Sequence, residues 1–167
     1  MQGTAVTLTA TPSTGSTVAW TGCATATGNT CSVTLAAAVN VTATFTLNRY
    51  TLTVNASGNA MGAADVMSSP AGISCTGDCS QAYDHGTTVT LTYADAFPGV
   101  TTMTWTGCAS ATGATCTVTM TATTTVALVA TLPVRTLTVT APRTGSGTGV
   151  GTITGTGISC AAAAVGA

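Results

Sequence analysis

WTGCASATGATCTVTM, the stretch from Trp105 to Met120, decides the fold because it occurs twice in the chain. The earlier copy runs from Trp20 to Leu35 and reads WTGCATATGNTCSVTL. The tryptophan, the first glycine and both cysteines of the two copies are separated by the same offset, the distance from Trp20 to Trp105. Apolar and hydroxyl residues alternate after the second cysteine, which is typical of a strand with one buried face. The sequence therefore predicts a repeated β domain.

The same offset connects the remaining landmarks of the chain. They are Thr51, Leu52, Val54, Gly72, Ile73, Ser74 and Cys75, which recur as Thr136, Leu137, Val139, Gly157, Ile158, Ser159 and Cys160. A period of about 85 residues is longer than a solenoid rung and usually means tandem domains. Joining residues 161–167 to Met1 and Gln2 of another copy gives nine residues where residues 76–85 provide ten.

We therefore predict one intact repeat flanked by two half-repeats. The central repeat covers residues 48–132. The amino-terminal segment, residues 1–47, is the second half of a repeat and is completed by the preceding subunit. The carboxy-terminal segment, residues 133–167, is the first half of a repeat and is completed by the next subunit. The joints at Asn48 and Pro133 are short, so we expect a stiff array.

Alternation at a period of two residues predicts an all-β fold. Apolar residues alternate with threonine in seven runs, around Val6, Val41, Leu52, Val89, Val118, Leu128 and Leu137. We expect tandem antiparallel β-sandwiches of immunoglobulin-like architecture with about seven short strands each. Trp105 is the expected core anchor of the central repeat and Trp20 that of the other, with sugar stacking as the alternative role.

The composition excludes partners that bind through charge. Threonine accounts for 42 of 167 residues, charged residues for 4%, and the net charge is −1. A basic footprint for nucleic acid and a polybasic membrane anchor are both missing. No apolar run approaches the roughly 18 residues of a membrane span. A net charge near zero favours association.

Seven cysteines indicate disulfides rather than a metal site. They occur as Cys23 with Cys31, Cys75 with Cys79, Cys108 with Cys116, and a lone Cys160. These spacings do not match zinc knuckles, and the only histidine is His85. Disulfides place the protein in an oxidising compartment, outside the cytoplasm. Residue 164, now alanine, corresponds to Cys79, so we expect its natural identity to be cysteine paired with Cys160.

The two halves of the motif together resemble a known family. The strings SSPAGISCTGDCS, residues 68–80, and WTGCASATGATCTVTM, residues 105–120, are similar to the divergent internalin-B-type repeat, a bacterial domain found in tandem in secreted and surface proteins. The resemblance implies an all-β repeat used as a stalk, spacer or adhesive module. It brings no catalytic or cofactor-binding residues. The chain departs from the family at residues 59–67 and after Cys160.

Candidate sites for chemistry are few. Asp84 and His85 are adjacent, so in an extended segment their side chains face opposite ways, which favours a solvated turn over an acid/base pair. Four aspartates, Asp65, Asp78, Asp84 and Asp95, are too scattered for a calcium cage, although loop carbonyls leave a single Ca²⁺ site open. Asn40 and Asn55 begin N-glycosylation sequons, and the threonine faces permit O-glycosylation. We predict no enzyme, no cofactor and no metal.

Two functions follow from this organisation. The first is a structural subunit of an extracellular bacterial filament, assembled from copies of itself head to tail by β-strand complementation between half-repeats. One variant makes the 167 residues a single period of a longer polypeptide. The second function is a stalk or adhesive module that contacts glycans or host proteins through loops such as residues 95–102.

Overall fold

The computed structural model describes residues 3–61 and 65–138, and the backbone of strands at residues 152–155 and 158–161. Strands are the only regular elements among the described residues, which confirms the predicted all-β class. The chain divides into two compact units, Met1–Pro133 and Val134–Ala167.

The amino-terminal segment forms two small sheets. Its strands are β1 (Thr4–Thr9), β2 (Ser16–Thr21), β3 (Thr25–Thr27), β4 (Thr30–Leu35) and β5 (Thr42–Leu47). One sheet has the order β1-β4-β3 and the other consists of β2 and β5, with all pairs antiparallel. Threonines point outward along each strand, where β-branched side chains suit a pleated surface.

The central repeat contains nine strands in two sheets. They are β6 (Arg49–Ser57), β7 (Val66–Ser69), β8 (Ser74–Cys75), β9 (Cys79–Asp84), β10 (Thr88–Tyr93), β11 (Thr102–Thr106), β12 (Ser110–Thr112), β13 (Thr115–Thr119) and β14 (Thr124–Thr131). The sheet orders are β12-β13-β10-β7-β8 and β11-β14-β6-β9. The prediction of about seven strands missed β8 and β12, which are too short to give an alternating pattern.

The pairing of β6 with β14 is parallel, so the prediction of wholly antiparallel sheets was wrong at this pair. Leu52 lies opposite Thr124, and Ser57 lies opposite Val129. Parallel neighbours need a long connection, and here the rest of the repeat provides it. Alternation reports which face of a strand is buried but not its direction. Because the two strands run the same way, the chain enters the repeat at one end and leaves it at the other.

One hydrophobic core holds the two sheets of the central repeat together. The longer strands β6, β10, β13 and β14 bury alternate residues, and their threonines are exposed or half-buried. The fully buried large side chains of this repeat are Leu52, Val54, Val66, Val89, Leu91, Tyr93, Met120, Val126 and Leu128. Trp105 packs into the same cluster. Burial of such side chains stabilises the fold by about 1.5–3 kcal/mol each.

Three disulfides are formed, which confirms that the chain is a disulfide-containing protein. They join Cys23 to Cys31, Cys75 to Cys79, and Cys108 to Cys116. In the chain-entropy model, each of the disulfides Cys23–Cys31 and Cys108–Cys116 stabilises the folded state by about 2.6 kcal/mol. The side chain of Cys160 and the proposed cysteine at position 164 lie outside the described residues.

The joint between the amino-terminal segment and the central repeat is short and closely fitted. The Asn48 N–H donates to the Gly15 carbonyl at 2.7 Å, and the His85 N–H donates to the Asn48 carbonyl at 2.7 Å. Gly15 has a φ of 76°, and a Cβ atom there would overlap the His85 ring. Glycine is therefore needed at this position for both backbone conformation and space. Beside this joint, the Tyr50 ring contacts the histidine ring at a centroid distance of 5.9 Å.

The second unit contains one described hairpin. Strands β15 (Thr152–Gly155) and β16 (Ile158–Ala161) pair antiparallel, with Ile153 opposite Cys160. The corresponding pair of the central repeat is β7 with β8, where Val66 lies opposite Cys75. The hairpin thus recurs one repeat later in the chain with its register shifted by two residues, since Ile153 is the counterpart of Ser68 and not of Val66.

Candidate assembly interface

Two sheet edges of the amino-terminal segment lack the neighbours that their counterparts have in the central repeat. There, β10 lies between β13 and β7, and β14 lies between β11 and β6. The equivalent strands are β1, which pairs with β4, and β5, which pairs with β2. Among the described residues, no strand adds to the other edge of either one. Such edges present backbone N–H and C=O groups that another strand can bind.

The inner face beside these edges is apolar and exposed. Leu8 corresponds to Leu91, because Leu8 pairs with Cys31 as Leu91 pairs with Cys116, and the chain has two extra residues before Trp105. Leu8 is 37% exposed and Phe45 is 55% exposed, whereas their counterparts Leu91 and Ala130 are 0% exposed. Leu47 is also exposed, although its counterpart Leu132 packs against the core. These side chains occupy the inward positions of the alternating pattern. The face therefore has the apolar character of a sandwich core, and no other strand among the described residues covers it.

A cleft of about 350 Å³ opens in the same segment, lined by Pro12, Ser16, Thr17, Val18, Gly28 and Asn29. It borders the uncovered face at two points. Val18 is the register partner of Phe45, and the carbonyl of Asn29 accepts the N–H of Ala10 at 2.8 Å.

The central repeat reveals what closes these positions when a repeat is complete. Its first half supplies β6 and β7 to the two edges and Ala60 to the core between them. The Asn59 side chain also binds the backbone of Leu132, the residue after β14. Its Nδ2 donates to the Leu132 carbonyl at 3.2 Å, and its Oδ1 accepts the Leu132 N–H at 2.7 Å. The missing cover of residues 1–47 therefore corresponds to the first half of a repeat.

Charge plays no part in this face, because residues 1–47 contain no charged side chain. A segment that binds this face would depend on shape, apolar burial and backbone hydrogen bonds. In the central repeat, burial raises the pKa of Tyr93 above its usual 10.0, and the charge of Asp95 adds to the shift. The neutral phenol donates to the Ala60 carbonyl at 2.8 Å.

The structure separates the residues that were candidates for chemistry. Asp84 forms an exposed ion pair with Arg49, with 3.1 Å between Oδ1 and Nε, while His85 packs at the joint. Asp78 accepts the Ala56 N–H and Asp95 accepts the Phe97 N–H. No group of three metal-binding side chains occurs within the described residues.

The remaining predicted residues have varied surroundings. Trp105 is buried in the core and Trp20 is half-buried, and neither indole nitrogen has a hydrogen-bond partner. Asn40 and Asn55 of the two sequons are exposed. Sequence reasoning did not single out Leu8 and Phe45, although both stand at inward positions of strands that the pattern had identified.

Comparison with known proteins identifies the amino-terminal part of the chain. Residues 1–49 match the family model described as "Divergent InlB B-repeat domain". No curated protein and no solved structure matches the chain. In the described part, no helix is long and apolar enough to cross a membrane. The match agrees with the resemblance predicted from the sequence motifs: residues 1–49, which contain the first copy of the tryptophan and cysteine motif, are similar to the divergent InlB B-repeat domain.

Proposed function

We propose that this protein is the structural subunit of an extracellular filament in which copies join head to tail. In this proposal residues 134–161 of one copy complete the amino-terminal segment of the next. The observation that carries it is the uncovered inner face of residues 3–47, since the same face in the central repeat is closed by the first half of the repeat. The carboxy-terminal segment shares the landmark residues of that half, from Thr136 to Cys160.

The central repeat supplies the expected register. Leu52 lies opposite Thr124 in the parallel pair of β6 and β14. Leu137 is the counterpart of Leu52, and Val39 is the counterpart of Thr124, so Leu137 of the incoming segment should lie opposite Val39, just before β5. The hairpin of β15 and β16 corresponds to β7 and β8, so its first strand adds to the free edge of β1. Complementation then satisfies both edges at once.

The geometry of the central repeat favours a different copy over the same copy as donor. The chain leaves the repeat at the end opposite to Asn48, where the amino-terminal segment is joined. Strand β6, Arg49–Ser57, extends about 30 Å. The short stretch from Leu132 to Leu137 reaches at most about 18 Å, which is less than the length of β6, so Leu137 does not reach back along the repeat to Asn48 of the same copy. Identical head-to-tail contacts of this kind extend into an open fibre.

Location and chemistry agree with this role. Three disulfides and the surface-repeat family are typical of proteins outside the cytoplasm. A filament subunit needs no catalytic group, and we propose that the protein is not an enzyme. Its partners are then copies of itself, with glycans as further partners where the exposed sequons at Asn40 and Asn55 are modified.

A second candidate function is a stalk or adhesive module in a larger surface protein. The observation that favours it is the loop after β10, where Phe97 is 47% exposed and Val100 is 44% exposed. Exposed apolar side chains on a loop are a common feature of binding surfaces. This function needs no polymer, and the cover of residues 3–47 would then come from elsewhere in the larger protein.

Sedimentation velocity and electron microscopy of the purified chain separate the two functions. The filament proposal predicts fibres that grow with protein concentration and have two repeats per subunit along the axis. Monomers at all concentrations, with β1 and β5 protected from hydrogen exchange, would overturn it and favour the stalk. Exchange protection is the necessary control, because it reports whether the amino-terminal segment is folded.

A further inference from the structure

The two repeats carry a large inner aromatic side chain on opposite sheets. In the central repeat the pair is Tyr93, at the end of β10, and Ala130 on β14; in the amino-terminal segment it is Ala10 and Phe45. The equivalence is supported by matching backbone bonds, since the Ala10 N–H donates to the Asn29 carbonyl and the Tyr93 N–H donates to the Ala114 carbonyl. The aromatic ring therefore lies on the sheet of β10 in the central repeat, but on the sheet of β2 and β5 in the amino-terminal segment.

Ala60, in the covering half of the central repeat, forms hydrogen bonds with both positions. The Tyr93 hydroxyl donates to the Ala60 carbonyl at 2.8 Å, and the Ala60 N–H donates to the Ala130 carbonyl at 3.1 Å. Ala60 is 1% exposed, so its carbonyl depends on the phenol for a hydrogen bond. A covering segment of this sequence therefore fits a face with tyrosine on the first sheet and alanine on the second.

The face of the amino-terminal segment has the reverse arrangement. Ala10 offers no hydroxyl, so an Ala60-type carbonyl placed there would lose its donor. Phe45 brings a large ring to the position where Ala130 leaves room. In the carboxy-terminal segment, glycine stands at position 145, the counterpart of Ala60, and serine at position 146, the counterpart of Met61. At these two positions the incoming residues are smaller than Ala60 and Met61.

We infer that Ala10 and Phe45 select the partner segment, so that residues 3–47 accept residues 134–161 of another copy and reject residues 49–82. The inference rests on the proposed filament function and adds partner selectivity to it. Two similar covering halves occur in every subunit, and a face that accepted both would let the central repeat exchange its own first half with a neighbour. The large Phe45 ring and the missing hydroxyl at Ala10 both disfavour binding of residues 49–82, the wrong partner segment.

Two labelled synthetic peptides test the selectivity on the full chain. One peptide contains residues 134–161 and the other contains residues 49–82. Each peptide is titrated into the folded protein at a protein concentration too low for fibres to form. We expect the first peptide to bind at least about tenfold more tightly and to stop fibre growth, because one lost buried hydrogen bond is worth about that factor. Equal binding of both peptides would overturn the inference.

The double variant A10Y/F45A provides the reciprocal test, since it restores the arrangement of the central repeat. It should reverse the preference toward residues 49–82, while Thr44→Ala, an outward neighbour of Phe45, should leave it unchanged. A preference that stays the same in the folded double variant would contradict the inference. If the double variant does not fold, the wild-type comparison decides alone. Fibres with unselective peptides would remove only the selectivity, whereas no fibres and no peptide binding would remove the filament function itself.

Discussion

Replacing Phe45 with aspartate is expected to abolish polymerisation and leave a folded monomer. Phe45 is 55% exposed in the isolated subunit, so a carboxylate there remains solvated until the face is covered. Complementation would bury the charge with no cation from residues 1–47, and the variant is made in an Arg143→Ala background, because the proposed register brings Arg143 of the incoming segment opposite position 45. Burying an unpaired charge costs several kcal/mol, so the apparent association constant should fall by about 100-fold or more. Sedimentation velocity across a concentration series measures this loss.

Thr44→Asp is the matched control for that variant. Thr44 is on the same strand, next to Phe45, and its side chain lies on the outer face, which complementation leaves in water. We expect it to polymerise like the wild type. Equal polymerisation of Phe45→Asp and Thr44→Asp would contradict the assignment of this face as the assembly interface. Loss of polymerisation in both variants would indicate that the added negative charge prevents assembly wherever it lies on the strand.

Replacing Leu128 with alanine should destabilise the central repeat by about 2–5 kcal/mol, because the deletion leaves a cavity in a closed core. Leu128 is 0% exposed and lies opposite Trp105 across β14 and β11. Denaturant unfolding, followed by Trp105 fluorescence in a Trp20→Phe background, measures the change. The control is Val129→Ala, since Val129 is the next residue of the strand and faces outward. Comparable losses in the two variants would contradict the sandwich arrangement of β14.

Much of the fold could be predicted from the sequence because the physical signals are local. Alternation around Leu52, Val89 and Leu128 identified strands and their buried faces, and the structure buries those same residues. Cysteine spacing predicted that the chain forms disulfides. Apart from two extra residues before Trp105, the offset between the repeats is constant, and it indicated which segments correspond. The structure contains the complete sandwich in the central repeat and an uncovered face in residues 3–47.

The features that the sequence could not reveal depend on contacts between distant residues. The direction of β14 relative to β6 leaves no trace in the alternating pattern. The His85 ring packs against Gly15, although the two residues are far apart in the chain. Neither local sequence indicates this contact. The exchange of aromatic positions between Tyr93 and Phe45 is visible in the sequence, but its meaning needs Ala60, whose role appears only in the folded repeat.

Cross-linking between isotopically distinct copies tests the central claim most directly. In the double variant Val39→Cys/Leu137→Cys, strand complementation brings the two new cysteines to opposite positions of a parallel pair, within disulfide distance. Equal amounts of ¹⁴N- and ¹⁵N-labelled chains are mixed, assembled, oxidised and digested, and the linked peptides are read by mass spectrometry. We predict that mixed-isotope peptides occur as often as random pairing allows. Linked peptides of a single isotope only, or no linkage between these positions, would contradict complementation between copies.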